Sequence, residues 1–413
     1  MDATWASRKA GASPRRAQVR WAKRVRLAAA FLLMMVSGLV WNSFGLFLVA
    51  LEAEFHWSRA AISGAYGAFA LINAVTAPFF GHLLGRYDSR IMLAGAALVL
   101  GIAFALMATV GSIGQFWLMF GVLAGLGTHC TSSYAIFAVL AGRFRERPAT
   151  AMSIADAGSG LAAFLGIPLI HWLIEGFGWR AAYLSLGIVI AVVAIPLHLF
   201  ALDRVKSAPK AAGRKPLSGL STYAFIALIV SYFCGSAVYH GLLTQQIALF
   251  DERSIGEEKA VWLAAVSGLV VFIWRLVSGW LCDIWGPQRV MLIAAVAAVI
   301  TFVTLILVVG AGNETMLLIY PLMLGIGFGG QQVLLTNGAR LIVSLSALAG
   351  ILGICRFASG AGMAGGPVIA GFLHDMTGGY ALAISILAVF AFIHFASFAA
   401  VRGRDRGASG PGR

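Results

Sequence analysis

The sequence predicts an all-α membrane protein of twelve transmembrane helices, arranged as two pseudo-symmetric six-helix bundles. Three observations carry this expectation. Of 413 residues, 60% are hydrophobic and only 11% charged, where a soluble chain carries about 25% charged residues; mean hydropathy is +0.89. The apolar residues fall into runs near or above the ~20 residues that a helix needs to cross ~30 Å of hydrocarbon. The charges sit at the ends of those runs. A soluble enzyme, a secreted disulfide scaffold and a disordered chain are all disfavoured.

The elements follow in order. A basic tail, 1–26, precedes the first run, 27–51, which ends at Glu52. The runs 60–84 and 91–110 flank a short segment with Arg86 and Arg90. The run 115–141 stops at Arg143, 149–174 at Glu175, and 181–202 at Asp203. Residues 203–219 are polar and basic and hold two prolines, which reads as a linker. The second half repeats the plan at 220–250, 260–282, 290–311, 315–339, 345–373 and 379–401, before a tail at 402–413. The domains are thus a bundle over 27–202 and a bundle over 220–401, with a cytoplasmic linker and two cytoplasmic tails. The abundant glycine, 49 residues, falls mostly inside the runs, where small residues let helices approach closely.

Lys and Arg orient the chain. With the N-terminus inside, twenty-four lie in the tails and cytoplasmic loops, and four, Arg59, Arg180, Arg253 and Lys259, lie outside. The positive-inside rule then puts both termini in the cytoplasm. The net charge of +14 is a topology signal, pointing to lipid headgroups and not to nucleic acid. The basic head resembles a signal peptide, but the run is too long and lacks a small-residue cleavage site. An organelle transit peptide is the alternative for that tail. Cys130, Cys234, Cys282 and Cys355 show no metal-ligand spacing and read as packing residues.

The halves echo each other at an offset of about 199 residues. Gly81, Leu83, Arg86, Asp88 and Arg90 follow the second run; Gly279, Leu281, Asp283, Gly286 and Arg289 follow the eighth. Ala157-Gly158-Ser-Gly160 and Gly166-Ile-Pro168 in the fifth run match Ser359-Gly360-Ala-Gly362 and Gly366-Pro367 in the eleventh. Such repeats build many secondary transporters, with the binding site between them at mid-membrane.

These loops resemble the G-x-L-x-D-R-x-G-x-R/K signature of the major facilitator superfamily. The first copy departs from it, with Gly85 at the Asp position and Asp88 at the second Gly; the second has its Arg one place late, at Arg289. The resemblance implies the major facilitator fold and a gating role for Arg86, Asp88, Arg90, Asp283 and Arg289. A purely topological role is the other reading. A narrower resemblance rests on Asn42-Ser-Phe-Gly45-Leu-Phe47, Glu54-Phe55-His-Trp57-Ser58-Arg59, Ala155-Asp156-Ala157-Gly158-Ser159 and Gly178-Trp179-Arg180. Together they are similar to the monocarboxylate-transporter-like and oxalate/formate-antiporter-like branches. That resemblance makes Arg275 a substrate-binding arginine and sets Arg356 at or close to a functional Lys of the antiporters. The chain departs at Val49 and Val271, where vertebrate-type carriers have a Lys and an Asp.

The residues themselves point the same way. Arg275 and Arg356 are the two basic residues within runs, roughly 12 and 17 Å from the cytoplasmic ends at ~1.5 Å per residue. A charge at mid-helix costs about 2.5–3.5 kcal/mol, so it needs a reason. Each guanidinium is a planar fork that fits a carboxylate. Structural pairing or snorkelling is the alternative. Asp156 is the one acid deep in a run, placed by the repeat opposite Arg356; it can pair with that arginine, carry a proton, or be structural. His129, His240, Asn73 and Gln332 are weaker substrate-contact candidates, with interhelical bonding the alternative.

No phosphate loop, metal spacing or catalytic triad is present, so the expectation is no enzyme, no cofactor and no metal. The expected function is a secondary active transporter in the inner or plasma membrane. It would move a small organic anion, mono- or dicarboxylate, by alternating access, through proton symport or anion exchange. The family resemblance implies a monomer. The alternative is an exporter of a larger amphipathic compound, a drug or siderophore, with the arginines structural. A membrane receptor that binds without flux is a third class.

Overall fold

Backbone N–H and C=O groups find no water in hydrocarbon, so a chain this apolar crosses it as helices or as a closed barrel. In the computed structural model of this protein the crossing segments are helical, and no strand occurs among the described residues. The structure describes residues 14–131, 133, 136, 140, 144, 148–202, 222–253, 255–311, 314–331, 334, 335 and 345–401. Residues 1–13 of the N-terminal tail, the linker, the tail at 402–413 and Gln332 lie outside the described residues.

Helices α1 (Pro14–Asn42) and α2 (Phe44–Phe55) form one crossing, because Ser43 between them keeps helical dihedrals. His56, left-handed at φ 53°, turns the chain. Ser58 then caps α3 (Arg59–Arg86), its hydroxyl accepting from Ala61 N at 3.2 Å. Asp88 caps α4 (Ser89–Met107) in the same way. Helix α5 (Ile113–Thr131) contains a π-helical stretch, Trp117–Ala124. Helix α6 (Pro148–Pro196) holds both the fifth and sixth expected crossings, divided at Gly178, whose φ of 81° and ψ of 158° suit only glycine.

The second half holds α7 (Thr222–Glu252), α8 (Glu257–Trp285), α9 (Pro287–Ala311), α10 (Ile319–Phe328), α11 (Leu345–Thr377) and α12 (Ala381–Ala400). Counting α1 with α2 as one crossing and α6 as two, the order of the described helices is consistent with the twelve expected crossings; nine helical segments among the described residues are long and apolar enough to span a membrane, and α10 is a shorter apolar helix. The helix ends fall at two faces. The near end carries the start of α1 and the turn at Asp88; the far end carries the turns at His56, Gly178 and Gly256.

Two antiparallel crossings and a contact of α2 with α7, where a Cβ on Gly45 would stand 3.0 Å from Thr244 O, join the halves. Along α6 and α8, Gly268 meets Ala163, Gly160 meets Phe272, and Gly279 meets Ser153, each step along one helix matched by a step back along the other. Along α3 and α11, Gly371 meets Arg59, Gly67 meets Ala364, and Gly360 meets Ala74. A Cβ on Gly160 would stand 2.6 Å from Phe272 N, so only glycine lets these helices approach. The crossings differ at the near end. Gly279 still lies against Ser153, but no described atom lies within 4 Å of where a Cβ of Gly81 or Gly353 would be. Helices α3 and α11 therefore part at the near end, while the far end is closed.

Candidate functional site

The α6–α8 crossing brings one guanidinium into the interface. Arg275 projects from α8 toward the other half, one turn on from Phe272 and its contact with Gly160. Its Nη1 lies 3.4 Å from Asp156 Oδ2 and donates to Asp156 O at 2.9 Å and to Ser159 Oγ; its Nε donates to Gly329 O at 3.0 Å. The Arg275 and Asp156 side chains are 14% and 16% exposed. One arginine thus ties α6 of the first half to the end of α10 in the second. Its Nη2 has no protein partner among the described residues.

Asp156 faces Arg275 in this state, not Arg356 as the repeat suggested. The reason is which helices cross: α6 packs on α8, whereas α11 packs on α3. Arg356 lies one helical turn before Gly360, on the α11 face that packs on α3, but past the last close contact at Ala74. It is exposed in the near-end gap, with no side-chain partner among the described residues.

His240 on α7 sits at the same interface. Its Nδ1–H donates to Ser236 O at 3.0 Å, which leaves Nε2 without a part in that bond. Trp41 and Tyr66 of the first half lie 6.0 and 6.4 Å from its ring, and Tyr239 lies 5.1 Å away. Arg275, Asp156 and Ser159 thus form one polar cluster between the halves, and His240 and Tyr239 form a second group there against Trp41 and Tyr66.

His129 and Asn73 are brought together, but inside the first half. Thr76 Oγ1 donates to Ile72 O at 2.6 Å, so it accepts from His129 Nε2 at 2.8 Å; Asn73 Nδ2 lies 3.4 Å from the other ring nitrogen. Phe80 stacks on the ring at 4.5 Å. These groups join α3 to α5, as polar residues in a bundle commonly do. At the near end, Asp88 Oδ1 accepts from Arg90 N at 3.1 Å, while Arg86 and Arg289 are exposed. Gly286, at φ 80°, ends α8 in the second copy of that loop; the Asp283 side chain lies outside what is described.

A second polar group, at the far end, was not singled out from the sequence. Arg59 opens α3 and lies between Glu52, Glu252, His374, Asp375 and Tyr380. Glu54 joins it from within the first half, holding Arg180 at 2.7 Å and accepting from the Trp179 indole. The signal was present. Arg59 is one of four basic residues on a face that the charge bias leaves nearly empty, and Glu54, Arg59, Trp179 and Arg180 all belong to the quoted motifs.

Known proteins agree with this architecture. The profile of the Major Facilitator Superfamily matches residues 30–343 and 262–412. Monocarboxylate transporter 11 of Mus musculus is 29% identical over 392 residues, covering 90% of this chain and 85% of its own. Monocarboxylate transporter 13 of Rattus norvegicus is 26% identical over 390 residues, covering 90% and 86%. The MFS-type transporter YcxA of Bacillus subtilis (strain 168) is 24% identical over 362 residues, covering 84% and 88%. In fold, the chain is similar to a bacterial homolog of the human lysosomal transporter Spinster, solved inward-facing and unoccupied: TM-score 0.63, 16% identity, 95% of each chain covered. The chain belongs to the Major Facilitator Superfamily; it is a multi-pass membrane transporter of small molecules and not an enzyme.

Proposed function

We propose that this transporter moves a small organic anion, a mono- or dicarboxylate, through a site centred on Arg275. The observation that carries this reading is a guanidinium held between the halves whose two Nη2 donors have no partner among the described residues. A substrate carboxylate would take Nη2 and compete with Asp156 for the rest of the fork. Arg356, exposed in the near-end gap, would meet the anion there, and His240 Nε2 would accept from a substrate hydroxyl. Relatives named monocarboxylate transporters support the chemistry. The family's alternating access would carry the site from one face to the other. Displacement of Asp156 leaves that carboxylate free to take a proton, which is symport; where it stays ionised, a counter-anion must return, which is exchange.

The charge bias of the loops supports a cell membrane with the near end and both termini at the cytoplasm. The state described here is then open inward, and the chain works as a monomer. A second reading has one observation in its favour: Arg275 is already bound by Asp156, Ser159 and Gly329, as a structural arginine would be. In that case the cargo is a larger amphipathic compound that is exported.

Flux decides between them. Purified protein in liposomes loaded with unlabelled carboxylates is given labelled counterparts, with and without a proton gradient. Saturable uptake that falls at least about tenfold in Arg275→Ala, equivalent to ~1.4 kcal/mol, supports the anion site. Absence of carboxylate flux from folded protein, or flux unchanged in Arg275→Ala, overturns it.

A further inference from the structure

The far end is where the closed state is held, and its chemistry is concentrated on Arg59. Its Nε donates to both oxygens of Glu52, at 2.9 Å each, within its own half. Its Nη1 reaches into the other half, donating to Glu252 at 3.1 Å and to the Tyr380 hydroxyl at 2.8 Å, with His374 Nε2 at 3.0 Å. The backbone joins in. Asp375, at the end of α11, accepts from Arg59 N at 3.2 Å and from Ala60 N at 2.8 Å, so α3 is capped by a carboxylate of the opposite half. Gln245 of α7 donates to Ser63 Oγ at 2.8 Å one turn further in, and also accepts from Tyr380. Gly371 lies so close that a Cβ there would stand 2.8 Å from Arg59 O.

The Arg59 side chain is only 12% exposed, so these contacts are less screened by solvent than an ordinary surface pair. The other crossing carries a thinner counterpart. Glu257 opens α8 as Arg59 opens α3, and meets His171 of α6 at 3.4 Å. The halves are thus fastened unequally, with the denser cluster at α3, α7 and α11.

We propose that Arg59 is the keystone of a far-end latch, a positioning residue that sets the balance between far-closed and far-open states. Glu252, Asp375 and Tyr380 are its receiving groups. Opening the far end must break the guanidinium contacts and uncap α3 together, so the latch releases as a unit. This concerns the gate and not the cargo, and it holds whether or not the substrate is an anion.

The test needs no substrate. Ser63, fully buried beneath the latch, becomes the reporter as Ser63→Cys, in a background with the four buried native cysteines replaced by alanine. Labelling by a hydrophilic maleimide is timed on purified protein in nanodiscs, in three variants. Arg59→Gln and Asp375→Asn are each expected to speed labelling about tenfold, equivalent to ~1.4 kcal/mol of bias. Arg180→Gln breaks a far-end ion pair made within one half, and is expected to change the rate less than about twofold. Unchanged labelling in Arg59→Gln and Asp375→Asn overturns the latch. Equal acceleration in all three variants also overturns it, because general loosening then accounts for the effect.

Discussion

Arg275 makes its contacts with both halves from one side chain, and its behaviour on mutation follows from that. Lysine would keep the charge but lose the planar fork, so it could not hold Asp156, Ser159 and a substrate carboxylate together. Arg275→Lys is expected to bind substrate at least about tenfold more weakly than wild type, read as KM in exchange assays. Asp156→Asn tests the coupling role separately. It removes the ionisable group yet retains a side chain that can accept from Nη1. Proton-driven uptake should then disappear while exchange of substrate for substrate persists; gradient-driven uptake at the wild-type rate would rule Asp156 out as the proton carrier. Both residues were legible in the sequence because a charge inside an apolar run stands out. The partner of Asp156 was not. A repeat shows which positions are equivalent, but pairing depends on which helices cross, and α6 crosses α8 while α11 crosses α3. Arg59 escaped notice for the opposite reason. At a helix terminus beside charged neighbours it looked like an ordinary loop residue, and its five partners come from sequence positions up to 321 residues away.

At the level of elements, the apolar runs located the crossings well because length and hydropathy are local properties. They did not show how the crossings join. The fifth and sixth runs are two helices that meet directly at a kink at Gly178, whose dihedrals suit only glycine. Alanine at Gly178 is expected to cost about 1–3 kcal/mol, since φ 81° with ψ 158° is a glycine-only region. Gly176 supplies the control. It lies two residues earlier, has a negative φ, and has no atom near where its Cβ would be, so Gly176→Ala should be neutral or slightly stabilising. Thermal unfolding of the two variants in detergent separates a conformational need from a general loss of glycine: Gly178→Ala should melt lower and Gly176→Ala should not. Equal melting temperatures would contradict the assignment. The loop motif shows the same limit of sequence reading. Asp88 stood out as a departure from the superfamily pattern, and here it is the cap of α4, a role that spacing alone does not distinguish from gating.

At the scale of the whole molecule, the described residues form two bundles that touch along two antiparallel crossings and where α2 meets α7, and the contacts are unevenly distributed. At the far end both crossings carry polar links between the halves. At the near end α6 and α8 remain in touch through Ser153 and Gly279, while α3 and α11 have parted. Two rigid bodies held at one end and parted at the other can expose a central site to one face at a time, provided the far-end contacts break in turn. If so, a covalent tie across the far end should arrest the cycle without touching the central site. Ser63 and Gln245 suit the purpose, because their side chains meet at 2.8 Å and both are buried. A Ser63→Cys, Gln245→Cys pair treated with a short bis-methanethiosulfonate reagent should lose flux, and a reductant that cleaves the tether should restore it. Each single cysteine should keep flux after the same treatment. A transporter that crosses the membrane by rocking its halves cannot turn over with the far end bridged. Full flux from completely cross-linked protein would therefore show that the far-end contacts do not separate during transport, and that the cargo passes by some other movement of the bundles.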